Sequence, residues 1–224
     1  MPRYVTPPRL DPDDLAGIID PNRGFLCLTS HWRPDPEAPD PEMPGQKLSM
    51  NSYITSPGRS PCLCGSGKHY RDCCRPNRLW RPICPNPGGT DKGFSLVKPQ
   101  KAVFRDVDGN LIRERLMADP RLRCTDDSLT SSFWILFGDP PVEGQYGILC
   151  FGDVELKRSR TLVATAMSDL RMRTLLALLD EIAGDVLGKP RVSQEPVYAI
   201  DKATGKMREV RPSGRRGRRR RRKR

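Results

Sequence analysis

Residues 61–74 read Pro61-Cys62-Leu63-Cys64-Gly65-Ser66-Gly67-Lys68-His69-Tyr70-Arg71-Asp72-Cys73-Cys74. Four cysteines fall within thirteen residues, in the pattern C-x-C, eight residues, C-C. The other four, Cys27, Cys84, Cys124 and Cys150, are scattered along the chain and read as free thiols. An even number of cysteines permits disulfides, but a Cys73–Cys74 bridge would close a small, strained ring. The opening stretch, MPRYVTPPRLDPDD, has no apolar core of the kind a signal peptide needs. A reducing, cytoplasmic compartment is therefore the expectation, and in that setting clustered cysteines read as metal ligands. Four thiolates suit a tetrahedral zinc ion. Gly65 and Gly67 allow tight turns between the two cysteine pairs. A zinc held by four thiolates carries a formal charge of about −2, and Arg59, Lys68, Arg71 and Arg75 are placed to offset it. Four protein ligands leave no open position, so the spacing points to a structural ion rather than a catalytic one.

The segment resembles the SEC-C motif, the small zinc-binding module found at the C-terminus of many SecA preprotein translocase ATPases and in other bacterial proteins. Its pattern, C-x-C-G-S-G-K-x-[YF]-x-x-C-[CH], is met at Cys62, Cys64, Gly65, Ser66, Gly67, Lys68, Tyr70, Cys73 and Cys74. Leu63 stands where proline is common and touches no ligand position. The resemblance implies that Cys62, Cys64, Cys73 and Cys74 hold Zn2+. In SecA the module is implicated in contacts with the export chaperone SecB and with ribosomes, so the resemblance implies a protein or ribonucleoprotein partner here. It covers about 20 of the 224 residues, and nothing of the SecA motor is present.

Two neighbouring signals do not carry chemistry. Gly65-Ser66-Gly67-Lys68 resembles the end of a phosphate-binding loop, but Cys62 occupies the first glycine position and His69 follows the lysine. His69 is expected to be an exposed side chain between basic neighbours, because four thiolates already fill the coordination shell.

Working outward, the 23 prolines are unevenly spread, with twelve in the first 61 residues. Residues 1–57 are expected to be a mostly disordered, proline-rich arm. Its acidic Pro34–Glu42 stretch should be extended and unable to build a core. Residues 58–76 form the knuckle, residues 77–99 a linker, and residues 100–210 a small α+β domain. Within that domain Val103–Val107 and Asn110–Arg113 flank Asp108-Gly109, a hairpin signal. Ser131–Phe137 reads as a buried strand. Gly147–Leu156 and Thr161–Ala166 read as a hairpin around Lys157–Arg160. Met172, Leu175, Leu176, Leu179, Ile182, Ala183 and Val186 form one apolar stripe of an amphipathic helix. Ser168 is its N-cap, and Gly188 and Pro190 stop it. Val197–Ile200 and Met207–Val210 suggest a last hairpin. The expected fold is thus α+β: a zinc knuckle plus a small antiparallel sheet with one main helix.

The net charge is +12, from 39 Lys and Arg against 27 Asp and Glu. Residues 211–224 hold ten of the bases and no acid, leaving 29 bases against 27 acids elsewhere. This tail is expected to stay extended by self-repulsion. Arg215, Arg216, Arg218, Arg219, Arg220, Arg221, Arg222, Lys223 and Arg224 form a ready ligand for the phosphates of RNA or DNA, without preference for sequence, and the pattern does not separate the two. No span of about 18 apolar residues is present, so membrane insertion is not expected. No catalytic residues are assigned. The two histidines, His31 and His69, lack the company a hydrolase needs. Asp106, Asp108, Glu114 and Asp139 sit in or near turns, where Asp favours local hydrogen bonds over metal chemistry. The chain therefore reads as a non-enzymatic, zinc-binding adaptor, with nucleic-acid binding through the tail as the alternative.

Overall fold

The computed structural model describes residues 20–33, 46–128, 130–137, 143–144 and 147–210. It is sheet-rich, with fourteen strands, two α-helices and a short 3-10 turn at Tyr70–Asp72 among the described residues. The strands, in chain order, are β1 (Gly24–Arg33), β2 (Gln46–Thr55), β3 (Leu79–Trp80), β4 (Ile83–Asn86), β5 (Gly89–Leu96), β6 (Gln100–Arg105), β7 (Leu122–Asp127), β8 (Ser131–Phe137), β9 (Glu143–Gly144), β10 (Gly147–Lys157), β11 (Thr161–Ala166), β12 (Arg191–Gln194), β13 (Val197–Asp201) and β14 (Met207–Val210). Helix α1 is Gly109–Ala118 and α2 is Asp169–Ala183.

Eleven strands form one sheet with the backbone order β12-β6-β11-β10-β1-β4-β5. Strand β2 lies on β1, while β8 and β9 pair with β10, and β7 pairs with β8. Strands β14, β13 and β3 form a second, small sheet. The large sheet is antiparallel apart from β1 beside β4, which run parallel through Cys27↔Ile83. Strand β10 is the hub. One of its edges pairs with β1 through Ser30↔Cys150 and then with β11 from Asp153↔Thr165 onward, so the sheet forks there. A bulge between Cys150 and Gly152 on the β8 side bends β10 at the same place.

Each half of the fork has its own core. Helix α2 covers one half, burying Met172, Leu175, Leu178, Leu179 and Ala183 against Leu156, Leu162, Ala164 and Trp134. The apolar spacing of three and four residues makes this stripe, and Ser168 caps it by accepting a hydrogen bond from the Arg171 N–H. The second core gathers Phe25, Leu26 and Cys27 of β1 with Trp80, Ile83, Ile200, Tyr70, Cys62 and Cys74.

The α+β class stands, but the sheet is larger than expected and takes in two segments read as unstructured. Gly24–Arg33 and Gln46–Thr55, inside the supposed arm, are ten-residue strands paired from Gly24↔Thr55 to Arg33↔Gln46. Phe25, Leu26 and Cys27 are consecutive and all buried, so β1 lacks the alternation that marks a one-sided strand. The supposed linker, residues 77–99, contains β3, β4 and β5. Its prolines disguise the strands: Pro85 sits where the β4–β5 register shifts, a position that tolerates the missing N–H. The Asp108-Gly109 hairpin is a helix start instead. The Asp108 carboxylate accepts from the Leu111 N–H, and Ile112 and Leu116 are buried one turn apart. Helix α2 ends at Ala183 with Gly184 as its cap, before the expected stop at Gly188. The predicted strands at 131–137, the hairpin over 147–166 and the last hairpin, β13–β14, are present. Residues 1–19, the Pro34–Glu42 stretch and the tail at 211–224 lie outside the described residues.

Candidate metal centre

Two local structures bring the cysteine pairs together. The first is a loop closed by the Cys62 N–H donating to the Lys68 carbonyl at 2.7 Å, with Gly65 N–H returning to the Cys62 carbonyl at 3.2 Å. Gly65 and Gly67 adopt φ of +78° and +74°, the left-handed region that a side chain disfavours. The second is the 3-10 turn at Tyr70–Asp72, whose first carbonyl accepts from the Cys73 and Arg75 N–H groups at 3.2 and 3.1 Å. The Tyr70 N–H donates to the Ser60 carbonyl and the Arg71 N–H to the Gly58 carbonyl, which zips the turn to the segment entering the loop.

The four Sγ atoms of Cys62, Cys64, Cys73 and Cys74 all lie within 4.8 Å of one another. Cys64 and Cys73 are 3.5 Å apart, and Cys73 and Cys74 are 3.9 Å apart. A tetrahedron of sulfurs around an ion with metal–sulfur bonds near 2.3 Å has edges of about 3.8 Å. The donor set and its spacing therefore fit a four-coordinate metal, with at most a small inward shift of the wider sulfurs. Cys62 and Cys74 are buried, and Cys64 and Cys73 are half-buried. Burial pushes the Cys62 thiol up to about 11 and raises Cys74 as well, the latter helped by its hydrogen bond with Cys62. Burial also acts on Cys64, but hydrogen bonds from Ser66, Cys62 and Cys73 outweigh it and bring that thiol down to about 7. Cys64 is thus the thiol of the set that ionises most readily, and metal binding releases protons from its deeper partners. Ser66 Oγ, 3.1 Å from Cys73 Sγ, is placed to orient that sulfur.

The knuckle is not a separate module on a tether. Tyr70 is fully buried, its ring 5.3 Å from that of Phe25. Its hydroxyl faces the Pro21 and Gly24 carbonyls at 3.2 and 3.4 Å, and Trp80 Nε1 donates to the same Gly24 carbonyl at 2.7 Å. From the small sheet, Lys202 Nζ donates to the carbonyls of Cys74 at 3.1 Å and Arg75 at 2.5 Å. The expected boundaries at 57, 76 and 99 thus cut through one shared core, because the cysteine loop itself is too polar to bury a core alone.

Among the described residues, these four cysteines are the group that can share a metal ion. His69 is exposed, and Cys27, Cys84 and Cys150 are buried in the sheet and do not join the four clustered sulfurs, although Cys27 shares the knuckle's core. Asp106 pairs with Arg160, Asp108 caps α1, and Glu114 is exposed on that helix, so they form no shared site; Asp139 lies outside the described residues. The same holds for Arg215, Arg216, Arg218–Arg222, Lys223 and Arg224. No helix among the described residues is long and apolar enough to cross a membrane. A feature the sequence reading missed is Arg171, which is buried rather than on the solvent face of α2. Its only sequence signal is a position between Met172 and Leu170 near the helix start, which is too weak to single it out.

Compared with known families, residues 59–76 match the SEC-C motif model, and the match spans all four cysteines. No curated protein and no solved structure matches the chain.

Proposed function

We propose that this SEC-C motif chain is a zinc-binding adaptor, not an enzyme. Cys62, Cys64, Cys73 and Cys74 hold one Zn2+, and the knuckle they build is presented to a protein or ribonucleoprotein partner. The observation that carries the reading is the convergence of four sulfurs within 4.8 Å of one another, two of the edges, 3.5 and 3.9 Å, lying near the ~3.8 Å of a tetrahedral thiolate site. A cage closed by four protein ligands leaves no place for substrate, so the ion supports shape rather than turnover. Exposed Arg59, Lys68 and Arg75, beside the Arg71–Asp72 pair, give the knuckle a basic face, suited to an acidic partner surface.

A second reading rests on the ten bases of residues 211–224, which would bind phosphate without reading bases. On duplex nucleic acid they set a salt-dependence ceiling of about −9 in log–log slope. Co-sedimentation with ribosomes distinguishes the two, using the full chain, a Cys62→Ser/Cys64→Ser chain and a chain ending at Val210. The adaptor reading expects the cysteine variant to lose metal and binding while the shortened chain keeps both. Loss of binding only in the shortened chain, and its removal by RNase, would favour the tail. Binding that neither change affects would overturn both.

A further inference from the structure

A cleft of about 1400 Å³ opens where the large sheet forks. Its wall includes Arg171, from the first turn of α2, with only 1% of its surface exposed. The guanidinium stitches the fork: Nε donates to the Pro85 carbonyl of β4 at 2.7 Å, and Nη1 to the Cys150 carbonyl of β10 at 3.3 Å. Its remaining amino group, Nη2, has no hydrogen-bond partner among the described residues.

The charge on Arg171 is also unmatched. The thiols that face it, Cys27, Cys84 and Cys150, are held up by burial and stay neutral, Cys27 at about 11 and Cys150 at about 12. A carboxylate whose charge reaches it, Asp153, is engaged by Lys47 Nζ at 2.5 Å and by the Thr165 hydroxyl at 3.3 Å. Among the described residues no acid forms an ion pair with Arg171. The face of Phe151, 4.9 Å from the guanidinium carbon, offsets only part of this. A guanidinium does not lose its proton to escape the problem. A buried charge without a counter-ion is costly, and a ligand that supplies one is favoured in proportion. Most of the remaining wall is apolar, with Leu26, Leu28, Phe133, Val163, Ile200 and Met207 along it.

We propose that this cleft binds a small amphiphile with a single carboxylate head, the head on Nη2 of Arg171 and the hydrocarbon body along the apolar wall. One free amino group offers a one-point contact, which a carboxylate fills. The other charges on the wall come close to balance, Lys47 and Lys101 against Asp153, Glu155 and Glu195, so they add no net attraction for the second charge of a phosphate. The site uses none of the four clustered cysteines and does not rest on the partner assigned to them, although Leu26, Ile200 and Met207 on its wall belong to the core shared with the cage.

The test is calorimetric titration of the full chain with decanoate, decanol and decyl phosphate. Decanoate is expected to bind once per chain, and decanol at least about tenfold more weakly, since a hydrogen bond to a charged group is lost. Arg171→Gln should erase that preference. Ser49→Trp, which fills the cleft from β2 without touching the stitch, should weaken decanoate. If Arg171→Gln fails to fold, the decanoate–decanol comparison and Ser49→Trp decide. Equal binding of decanoate and decanol, an unchanged preference in folded Arg171→Gln, or no decanoate binding would overturn the proposal. Tighter binding of decyl phosphate than of decanoate would overturn the choice of head group.

Discussion

Tyr70 is where the metal cage meets the sheet, and replacing it measures how far the two depend on each other. The side chain is fully buried between Phe25 and the cysteine loop. Truncating an aromatic core residue to alanine costs about 3–5 kcal/mol through lost transfer energy and the cavity left behind. That is a large share of the roughly 5–15 kcal/mol that holds an ordinary domain together. Tyr70→Phe keeps the ring and removes only the hydroxyl. The Gly24 carbonyl then retains its 2.7 Å bond from Trp80, and the Pro21 carbonyl is partly exposed to water. The cost should therefore be about 1 kcal/mol or less. Urea unfolding followed by tryptophan fluorescence gives both values. Release of metal to a chromogenic chelator, followed in parallel, shows whether the cage loosens with the core. Tyr70→Ala should lower the unfolding midpoint sharply and speed metal release, while Tyr70→Phe should do little to either. The reasoning is wrong if Tyr70→Ala stays within about 1 kcal/mol of the parent chain, or if it unfolds more easily yet holds metal just as tightly.

Chelation should loosen the core that contains Trp80 and β1 while leaving α2 helical, because α2 packs in the other half of the fork; hydrogen exchange resolved by segment would show protection lost around residues 24–33 and 79–86 but kept at 169–183. Gly109→Ala should destabilise the chain by about 1–3 kcal/mol in thermal melts, since the added Cβ would fall 2.3 Å from the Ser159 carbonyl oxygen. The Arg113 side chain donates to Asp127 and, with the Ser132 hydroxyl, holds that carboxyl below the usual carboxylate range. A carboxyl depressed in the folded state adds stability above its unfolded value near 4, and that stability is lost as pH falls through the folded value. Arg113→Gln should therefore melt earlier than the parent at pH 7, with the difference shrinking towards pH 3; an equal difference at both pH values would contradict the pairing.

Local signals in the sequence were enough for part of this fold. The cysteine spacing located the cage because its chemistry is short-range: a tight glycine loop and one helical turn suffice to bring the sulfurs together. Ser168 announced α2 because a cap is read from its own hydroxyl. The β10–β11 hairpin was legible because its strands are adjacent in the chain. What escaped notice depends on distant partners. Phe25, Leu26 and Cys27 of β1 are all buried because Tyr70, Trp80, Ile83 and Ile200 reach them from distant parts of the chain, and their apolar run lies between proline-rich stretches. Pro82, Pro85 and Pro87 suggest a linker, yet Pro85 sits within β4 at a register shift, Pro82 just before that strand and Pro87 in the turn to β5. Asp108-Gly109 satisfies the rules for a hairpin and for a helix start alike, and burial of Ile112 and Leu116 decides between them. Arg171 looks like any charged helix residue until the fork places the Pro85 and Cys150 carbonyls beside it.

The most direct test of the central claim is X-ray absorption at the metal edge on the full chain, purified under reducing conditions without added metal. One zinc per chain with four sulfur neighbours near 2.3 Å is the predicted result. A metal-free chain, or an ion bound mainly through oxygen or nitrogen, would contradict it.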